Sequence, residues 1–180
     1  LRMRLHADQL GDSGAAAFAA RSGFATADHL NHTSVDAVDD LARSETTAVL
    51  LPGATFTLRQ EAKPPARALI DAGATVALGT DLNPGTSPIH SMPFVIALAC
   101  RLYGLRPLEA LAAGTVNAAH ALELDDVVGR IAPGHRADLV VLDAPTFDEV
   151  PYRPDHDPVA VVVCGGEIVH VAPGFENRLS

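Results

Sequence analysis

Two histidines and one aspartate stand where strand-like segments of this sequence end. His6 and His29 each close a short run that favours a strand, and Asp81 follows the apolar run of residues 75–78. Imidazole and carboxylate groups together are the ligands and proton carriers of Zn²⁺ or Fe²⁺ sites that activate water. A single histidine at a strand end is more often structural. The hydrolytic interpretation therefore depends on finding all three residues at equivalent points of a repeated unit.

Further polar residues lie beside these three. Gln9 closely follows His6, and Asn83 opens a turn-rich loop, Asn83-Pro-Gly-Thr-Ser-Pro88, that is dense in backbone donors and hydroxyl groups. Asp81 could instead cap the helix that is predicted to start near Pro88, but it lies seven positions upstream of that residue. Ser87 fits the N-cap better. We therefore expect Ser87 to cap the helix and Asp81 to have a functional role.

The elements that must place these residues repeat along the first part of the chain. Four strands are predicted, at residues 1–5, 26–29, 46–51 and 75–78. Helices are predicted at residues 12–22, 34–43, 64–72, 88–103, 107–113 and 117–122. Strands that alternate with helices predict a parallel sheet, whose carboxyl-end edge would collect His6, His29 and Asp81. A doubly wound sheet would also hold four strands, but the sequence contains no Gly-rich phosphate loop, so a barrel is favoured.

The pattern changes after Leu124. Residues 129–143 contain a tight turn and a β-rich run, and residues 159–171 predict a hairpin around Gly165 and Gly166. A proline-rich surface connection, residues 145–158, separates the two. We predict that residues 1–123 belong to a barrel and that residues 124–180 form a segment of a small β domain.

Composition restricts the possible partners. The 180 residues are 48% hydrophobic and 19% charged, with a net charge of −9, and no basic stripe indicates a nucleic-acid partner. The longest apolar run, residues 94–100, is too short to span a bilayer. Cys100 and Cys164 lie far apart without a CxxC spacing, as is typical of reduced cytosolic proteins. We expect a cytoplasmic protein that acts on a small molecule.

Several blocks resemble the imidazolonepropionase family of the amidohydrolase superfamily. They are Leu5-His-Ala-Asp-Gln9, Ala27-Asp-His29, Ala48-Val-Leu-Leu-Pro-Gly53, Thr80-Asp-Leu-Asn-Pro-Gly-Thr-Ser-Pro88 and Thr115-Val-Asn-Ala-Ala119. The block Gly134-His-Arg-Ala-Asp-Leu-Val140 is similar to the tail of many amidohydrolases. The resemblance implies the C-terminal half of a TIM-like (β/α)8 amidohydrolase barrel and part of a small β-sandwich domain. It also implies metal-dependent hydrolysis of the cyclic amide of 4-imidazolone-5-propanoate to N-formimidoyl-glutamate in histidine degradation.

The resemblance further implies a role for each site residue. His6 and Asp81 would be ligands of one divalent ion, Zn or Fe, and Asp81 would also take the proton of the attacking water. His29 would hydrogen-bond that water or the developing oxyanion. Gln9 stands where some family members have Glu, and because Gln cannot act as a base, proton transfer would fall to Asp81 and His29. The substrate would be bound by Gln9, Asn83, Gly85 and Thr86.

The sequence departs from the family in one large respect. The His-x-His pair that completes the family's metal site is absent from the 180 residues, and the chain opens on Leu1 within a strand-like segment. We expect a chain that holds strands five to eight of the barrel, binds metal weakly and is inactive by itself.

Two alternatives stay open. One is another amidohydrolase, such as a nucleobase aminohydrolase, and the other is a non-catalytic half-barrel that associates with itself or with a complementary half. Exposed strand edges drive such association, and we expect a homodimer.

Overall fold

The structure is a computed structural model that describes residues 2–176. In chain order its elements are β1 (Arg4–Ala7), α1 (Ala15–Arg21), β2 (Thr26–His29), α2 (Val35–Ala42), β3 (Thr47–Leu50), α3 (Pro52–Thr57), α4 (Ala66–Asp71), β4 (Val76–Leu78), α5 (Met92–Tyr103), α6 (Pro107–Gly114), α7 (Val116–Ala121), β5 (Leu139–Leu142), α8 (Glu149–Tyr152), β6 (Val159–Cys164) and β7 (Glu167–Val171). Within residues 2–176 no helix is long and apolar enough to cross a membrane.

The first four strands form one parallel sheet in the order β1-β2-β3-β4. Each strand lies beside the next strand of the chain, which confirms the predicted succession of strand, loop and helix. A doubly wound sheet reverses its strand order at a switch point, whereas a barrel wall continues in one direction. The observed order is therefore that of part of a barrel.

Helices cover one face of this sheet. In β1 the side chains of Leu5 and Ala7 pack into the apolar core, whereas Arg4 and His6 are exposed. Strand side chains alternate between faces, so the helices of the described residues pack on the Leu5 face. Large core residues such as Leu50 and Leu69 are fully buried, and each contributes roughly 1.5–3 kcal/mol through apolar burial. On the opposite face His6 is exposed, and Asp28 and Val49 are half-buried.

The C-terminal part contains an antiparallel sheet in the order β5-β6-β7. The predicted hairpin at Gly165 and Gly166 is confirmed, and both glycines have the positive φ that a tight hairpin turn requires. The short helix α8, which the sequence did not predict, packs on α5. The Arg101 guanidinium donates hydrogen bonds to the carbonyl oxygens of Pro151 and Tyr152. The predicted boundary between residues 123 and 124 stays a prediction.

Two predictions about helix starts were wrong. The helix after the Asp81 loop begins at Met92, and its N-cap is Ser91, whose hydroxyl accepts a hydrogen bond from the Phe94 amide at 3.3 Å. Ser87 is not a cap. It is fully buried, and its hydroxyl donates to the Thr80 carbonyl oxygen at 2.7 Å.

Helix α3 was also missed, because Pro52-Gly53 was interpreted as a stop after β3. Proline is well tolerated in the first turn of a helix, where its absent N–H would have no intrahelical partner. The chain therefore passes from β3 into α3 without a long loop.

Candidate metal and active site

The carboxyl ends of β1 and β2 bring two histidines together. The ring centroids of His6 and His29 are 4.2 Å apart, with an angle of 51° between the ring planes. His29 is the last residue of β2, and it adopts a left-handed backbone with φ of 77°. This backbone ends the strict alternation of the strand. The structure thus confirms that these two strand ends converge.

Burial keeps the His29 imidazole neutral. The side chain is only 4% exposed, and this burial, together with the positive charge of a protonated His6, lowers the pKa of His29 from 6.5 to about 4. At neutral pH the ring therefore carries one N–H donor and one acceptor nitrogen. Such a ring suits a hydrogen bond to water or to a developing oxyanion better than it suits charge pairing.

The lowered pKa of His29 predicts a pH dependence of stability. In the unfolded chain His29 gains a proton near pH 6.5, but in the folded chain only near pH 4, so acid favours the unfolded state. The contribution of His29 is fully present above pH 6.5 and is lost as the pH falls toward 4. We expect the free energy of unfolding of this chain, measured with urea from about pH 7.5 to 4.5, to fall by up to about 1.4 kcal/mol per pH unit through His29.

The matched control is His29→Gln, which keeps a polar side chain but cannot titrate. Its unfolding free energy should change less steeply between pH 6.5 and 4 than that of the unsubstituted chain. Parallel pH profiles for the two proteins would show that His29 is not held neutral by the fold.

Asp81 follows β4 at the same edge of the sheet. Its backbone is left-handed, with φ of 50°. Burial raises the pKa of Asp81 above its ordinary value, while the charge of His6 and a hydrogen bond from the Asn83 side chain oppose part of this rise. Asp81 thus lies within range of the charge of His6 at the end of β1. A carboxylate with a raised pKa is better able to accept a proton from water.

Backbone strain concentrates at these strand ends. Asp8, His29, Leu30 and Asp81 all have positive φ, although none of them is glycine. A left-handed conformation costs a non-glycine residue roughly 1–2 kcal/mol and is retained where surrounding contacts enforce it. Such residues often cluster at functional sites. The strained positions lie at or shortly after the ends of β1, β2 and β4, the three strands whose ends carry the candidate side chains.

Asp8 supplies the contacts that hold the end of β1, a role that the sequence analysis missed. Its carboxylate accepts hydrogen bonds from the Ser13 amide at 3.0 Å, the Ser13 hydroxyl at 2.8 Å and the Ala16 amide at 3.2 Å. Burial acts to raise the pKa of Asp8, but these hydrogen bonds outweigh it and lower the pKa. Gln9 comes next and is buried, and its carbonyl oxygen accepts from the Gln60 side chain at 3.2 Å.

The loop after Asp81 is organised by the side chain of Asn83. Its Oδ1 accepts from the amides of Gly85 at 2.9 Å and Thr86 at 2.7 Å. Its Nδ2 donates to the Asp81 carbonyl oxygen at 2.7 Å and to the Thr86 hydroxyl at 3.0 Å. Binding of substrate by Asn83, Gly85 and Thr86 stays a prediction. Both amide hydrogens of Asn83 are already used within the loop.

A second carboxylate lies on the same face of the sheet as His6. Asp28 is the register partner of His6 across β1 and β2, and its Oδ1 is buried without a hydrogen-bond partner among residues 2–176. Burial raises the pKa of Asp28, and the nearby charge of Asp81 adds to this rise. Asp28 was not predicted as a site residue, although alternation along β2 places it on the His6 face.

The donor types fit part of a divalent metal site. His6 and Asp81 supply imidazole nitrogen and carboxylate oxygen, which suit Zn²⁺ or Fe²⁺. In the part of the chain that the structure describes, no three His, Cys, Asp or Glu side chains come together as a ligand set. A mononuclear catalytic zinc has about three protein ligands. The chain therefore contributes two candidate ligands and needs others to complete the set.

Comparison with known proteins defines the class. A profile described as the amidohydrolase family matches residues 6–171, and the chain belongs to this family. The expected membership of the amidohydrolases is thereby confirmed, and with it the α/β half-barrel fold.

The chain is similar over nearly all its length to particular members. It is 46% identical to the imidazolonepropionase of Symbiobacterium thermophilum over 93% of this chain, and 47% identical to that of Rubrobacter xylanophilus over 94% of it. It spans only 39% and 40% of the length of these two relatives.

Solved structures share the fold. An amidohydrolase from Thermotoga maritima matches with a TM-score of 0.72 and 27% identity, over 96% of this chain and 44% of its own. An adenosine deaminase from Xanthomonas campestris with bound zinc matches with a TM-score of 0.76 and 23% identity, over 95% of this chain and 46% of its own. At that identity the deaminase shows a common fold alone. The much higher identity to imidazolonepropionases disfavours the nucleobase aminohydrolase alternative.

Proposed function

We propose that this chain is part of an imidazolonepropionase. The whole protein would hydrolyse the cyclic amide of 4-imidazolone-5-propanoate to N-formimidoyl-glutamate in histidine degradation. The observation that carries the proposal is the identity of 46% and 47% to two imidazolonepropionases across 93% and 94% of this chain. The contact of the His6 and His29 rings and the electrostatic interaction of His6 with Asp81 support it.

The proposed roles are those that the family resemblance implies, and the charge states of Asp81 and His29 support them. Asp81 takes a proton as the water oxygen adds to the ring carbonyl carbon. It then delivers the proton to the ring nitrogen as the C–N bond breaks, so the atoms of water are divided between the two ends of the opened amide. Neutral His29 hydrogen-bonds the water or the oxyanion. Gln9, which lies buried after β1, contacts the substrate ring.

His6 and Asp81 would hold one divalent ion, Zn or Fe, and the remaining ligands would come from residues outside this chain. When bound, such an ion lowers the pKa of water toward ~7 and polarises the carbonyl group. We also propose that the protein works in the cytoplasm on a small-molecule substrate, as a homodimer, and without nucleic-acid or membrane partners.

The test compares this chain with a protein that also contains the part of the relatives' length that it lacks. After dialysis, the longer protein should retain about one Zn or Fe per site, and the 180-residue chain should lose its metal because two ligands hold it weakly. The longer protein should hydrolyse 4-imidazolone-5-propanoate in preference to cytosine or guanine.

Two outcomes would contradict the proposal. Stoichiometric metal that survives dialysis of the 180-residue chain would show that its own residues complete the site. Preference for a nucleobase would identify the other kind of amidohydrolase. If neither protein is active and size-exclusion chromatography gives the molar mass of an associated species, the non-catalytic half-barrel is supported instead.

A further inference from the structure

The end of β3 carries no side chain suited to chemistry, unlike the ends of β1, β2 and β4. After Leu50 the chain runs through Leu51 and Pro52 directly into α3, and Gly53 lies in the first turn of that helix. Gly53 is buried, and its φ is not in the left-handed region. Backbone conformation therefore does not require glycine at this position.

Glycine is required at position 53 because the neighbouring atoms leave no room for a side chain. A Cβ atom at Gly53 would lie 2.7 Å from the Ser87 Oγ, and 3.4 Å from both the Thr80 carbonyl oxygen and the Ile89 Cδ1. Separations below 3.0 Å between such atoms essentially do not occur, so a side chain here would force a shift. The backbone of α3 at Gly53 thus packs directly against Thr80 and Ser87, the two ends of the loop of residues 80–87.

The Ser87 side chain cannot easily move away from an added Cβ at position 53. It is fully buried, and its hydroxyl donates to the Thr80 carbonyl oxygen at 2.7 Å. Its own carbonyl oxygen accepts from the Asn83 amide at 3.0 Å. Rotating the hydroxyl away from an added Cβ would leave the Thr80 carbonyl without this partner in a water-free environment, which is costly. The remaining response is movement of the loop.

We propose that Gly53 is a positioning residue for the loop that carries Asp81 and the segment from Asn83 to Thr86. Its missing side chain lets Ser87 close this loop against α3, and the closed loop sets the place of Asp81 beside His6. The end of β3 therefore contributes to the site indirectly, because Gly53 in α3 packs against the loop that follows β4. The effect of Gly53 on catalysis rests on the proposed function, whereas its effect on closure of the loop against α3 does not.

The experiment is a double-mutant cycle of Gly53→Ala and Ser87→Ala in the complete protein that contains this chain. Alanine in place of a helical glycine is normally stabilising, so damage at Gly53 would be opposite to the usual effect. Gly114→Ala is the matched control. It also lies in a helix, and the nearest atoms to its Cβ would be side-chain atoms of Met92 and Ile96 at 3.4 Å or more.

Two readouts are measured for each variant. Hydrogen exchange of the Asn83 and Thr86 amides reports whether the loop is closed, and needs no catalytic activity. The second readout is kcat/KM with 4-imidazolone-5-propanoate. Gly53→Ala should speed exchange of both amides and lower kcat/KM by about 10- to 100-fold, as expected when catalytic groups are misplaced.

Ser87→Ala should relieve the clash. In the Ser87→Ala background, adding Gly53→Ala should change either readout by less than about threefold, because the two substitutions act on one contact. Gly114→Ala should leave both readouts within about twofold of the unsubstituted protein, as for an independent site.

The proposal is overturned if Gly53→Ala leaves loop exchange unchanged, or if its effect is the same with Ser and with Ala at position 87. If the unsubstituted protein does not hydrolyse the imidazolone, the proposed function fails. The exchange measurements still decide whether Gly53 seats the loop.

Discussion

Replacing Asp81 by Asn in the complete enzyme is expected to lower kcat by about 100-fold or more and to reduce the bound metal. The carboxylate has two proposed tasks, as a metal ligand with His6 and as the acceptor of the proton from water. Asn keeps the size of the side chain, but it cannot accept that proton and is a weaker ligand. Steady-state kinetics and the metal content after dialysis measure the two losses separately.

Gln9→Ala is the comparison for Asp81→Asn. Gln9 lies at the end of β1 and is proposed to contact the substrate ring, but an uncharged amide cannot serve as the base. We expect it to retain metal and to lose much less turnover. If Gln9→Ala is as inactive as Asp81→Asn while both retain metal, the assignment of proton transfer to Asp81 is wrong.

Sequence reasoning was most successful where a local pattern decides the structure. The strand β2 was predicted with its observed bounds, and β4 to within one residue, because short apolar or β-branched runs stop at polar or glycine-containing turns. Placing His6 beside His29 needed only the general geometry of parallel strands. That step requires no knowledge of individual contacts.

The errors concern contacts that only the folded chain creates. Ser87 and Ser91 are both plausible caps by residue type, and the choice depends on the approach of α3 to the loop, which buries Ser87. The hydrogen bonds accepted by the Asp8 carboxylate were not predicted for a similar reason. Its partners Ser13 and Ala16 lie five and eight residues away along the chain, across a turn whose shape the sequence does not specify.

Asn83 and Thr86 lie in one loop but should respond differently to substitution. From the sequence, both Asn83→Ala and Thr86→Val are expected mainly to raise KM, since a loop of neutral donors suits the propionate of the substrate. The structure changes this expectation for Asn83. Its side chain bonds the Asp81 carbonyl oxygen and the amides of Gly85 and Thr86.

Asn83→Ala removes all of these bonds together and frees the segment that carries Asp81. It should therefore lower kcat as well as raise KM, with a loss in kcat/KM of about 10- to 100-fold. Thr86→Val removes the hydroxyl group and its hydrogen bond with Asn83, but it keeps the backbone amide, the other Asn83 bonds and the shape of the side chain, so mainly KM should rise. Steady-state kinetics of the two variants in the complete enzyme separate these effects.

An imidazolone without the propionate group sharpens the comparison. Thr86→Val should leave its kinetics unchanged, because the contact that the hydroxyl would make is missing from this substrate. Asn83→Ala should impair both substrates alike, because a loosened loop misplaces Asp81 whatever the substrate carries. If Asn83→Ala instead raises only the KM of the propionate-bearing substrate, the Asn83 amide must leave its bonds within the loop and bind the carboxylate. The loop would then reorganise when substrate binds. In that case the contact of Ser87 with α3, and not the Asn83 side chain, would hold the loop in place.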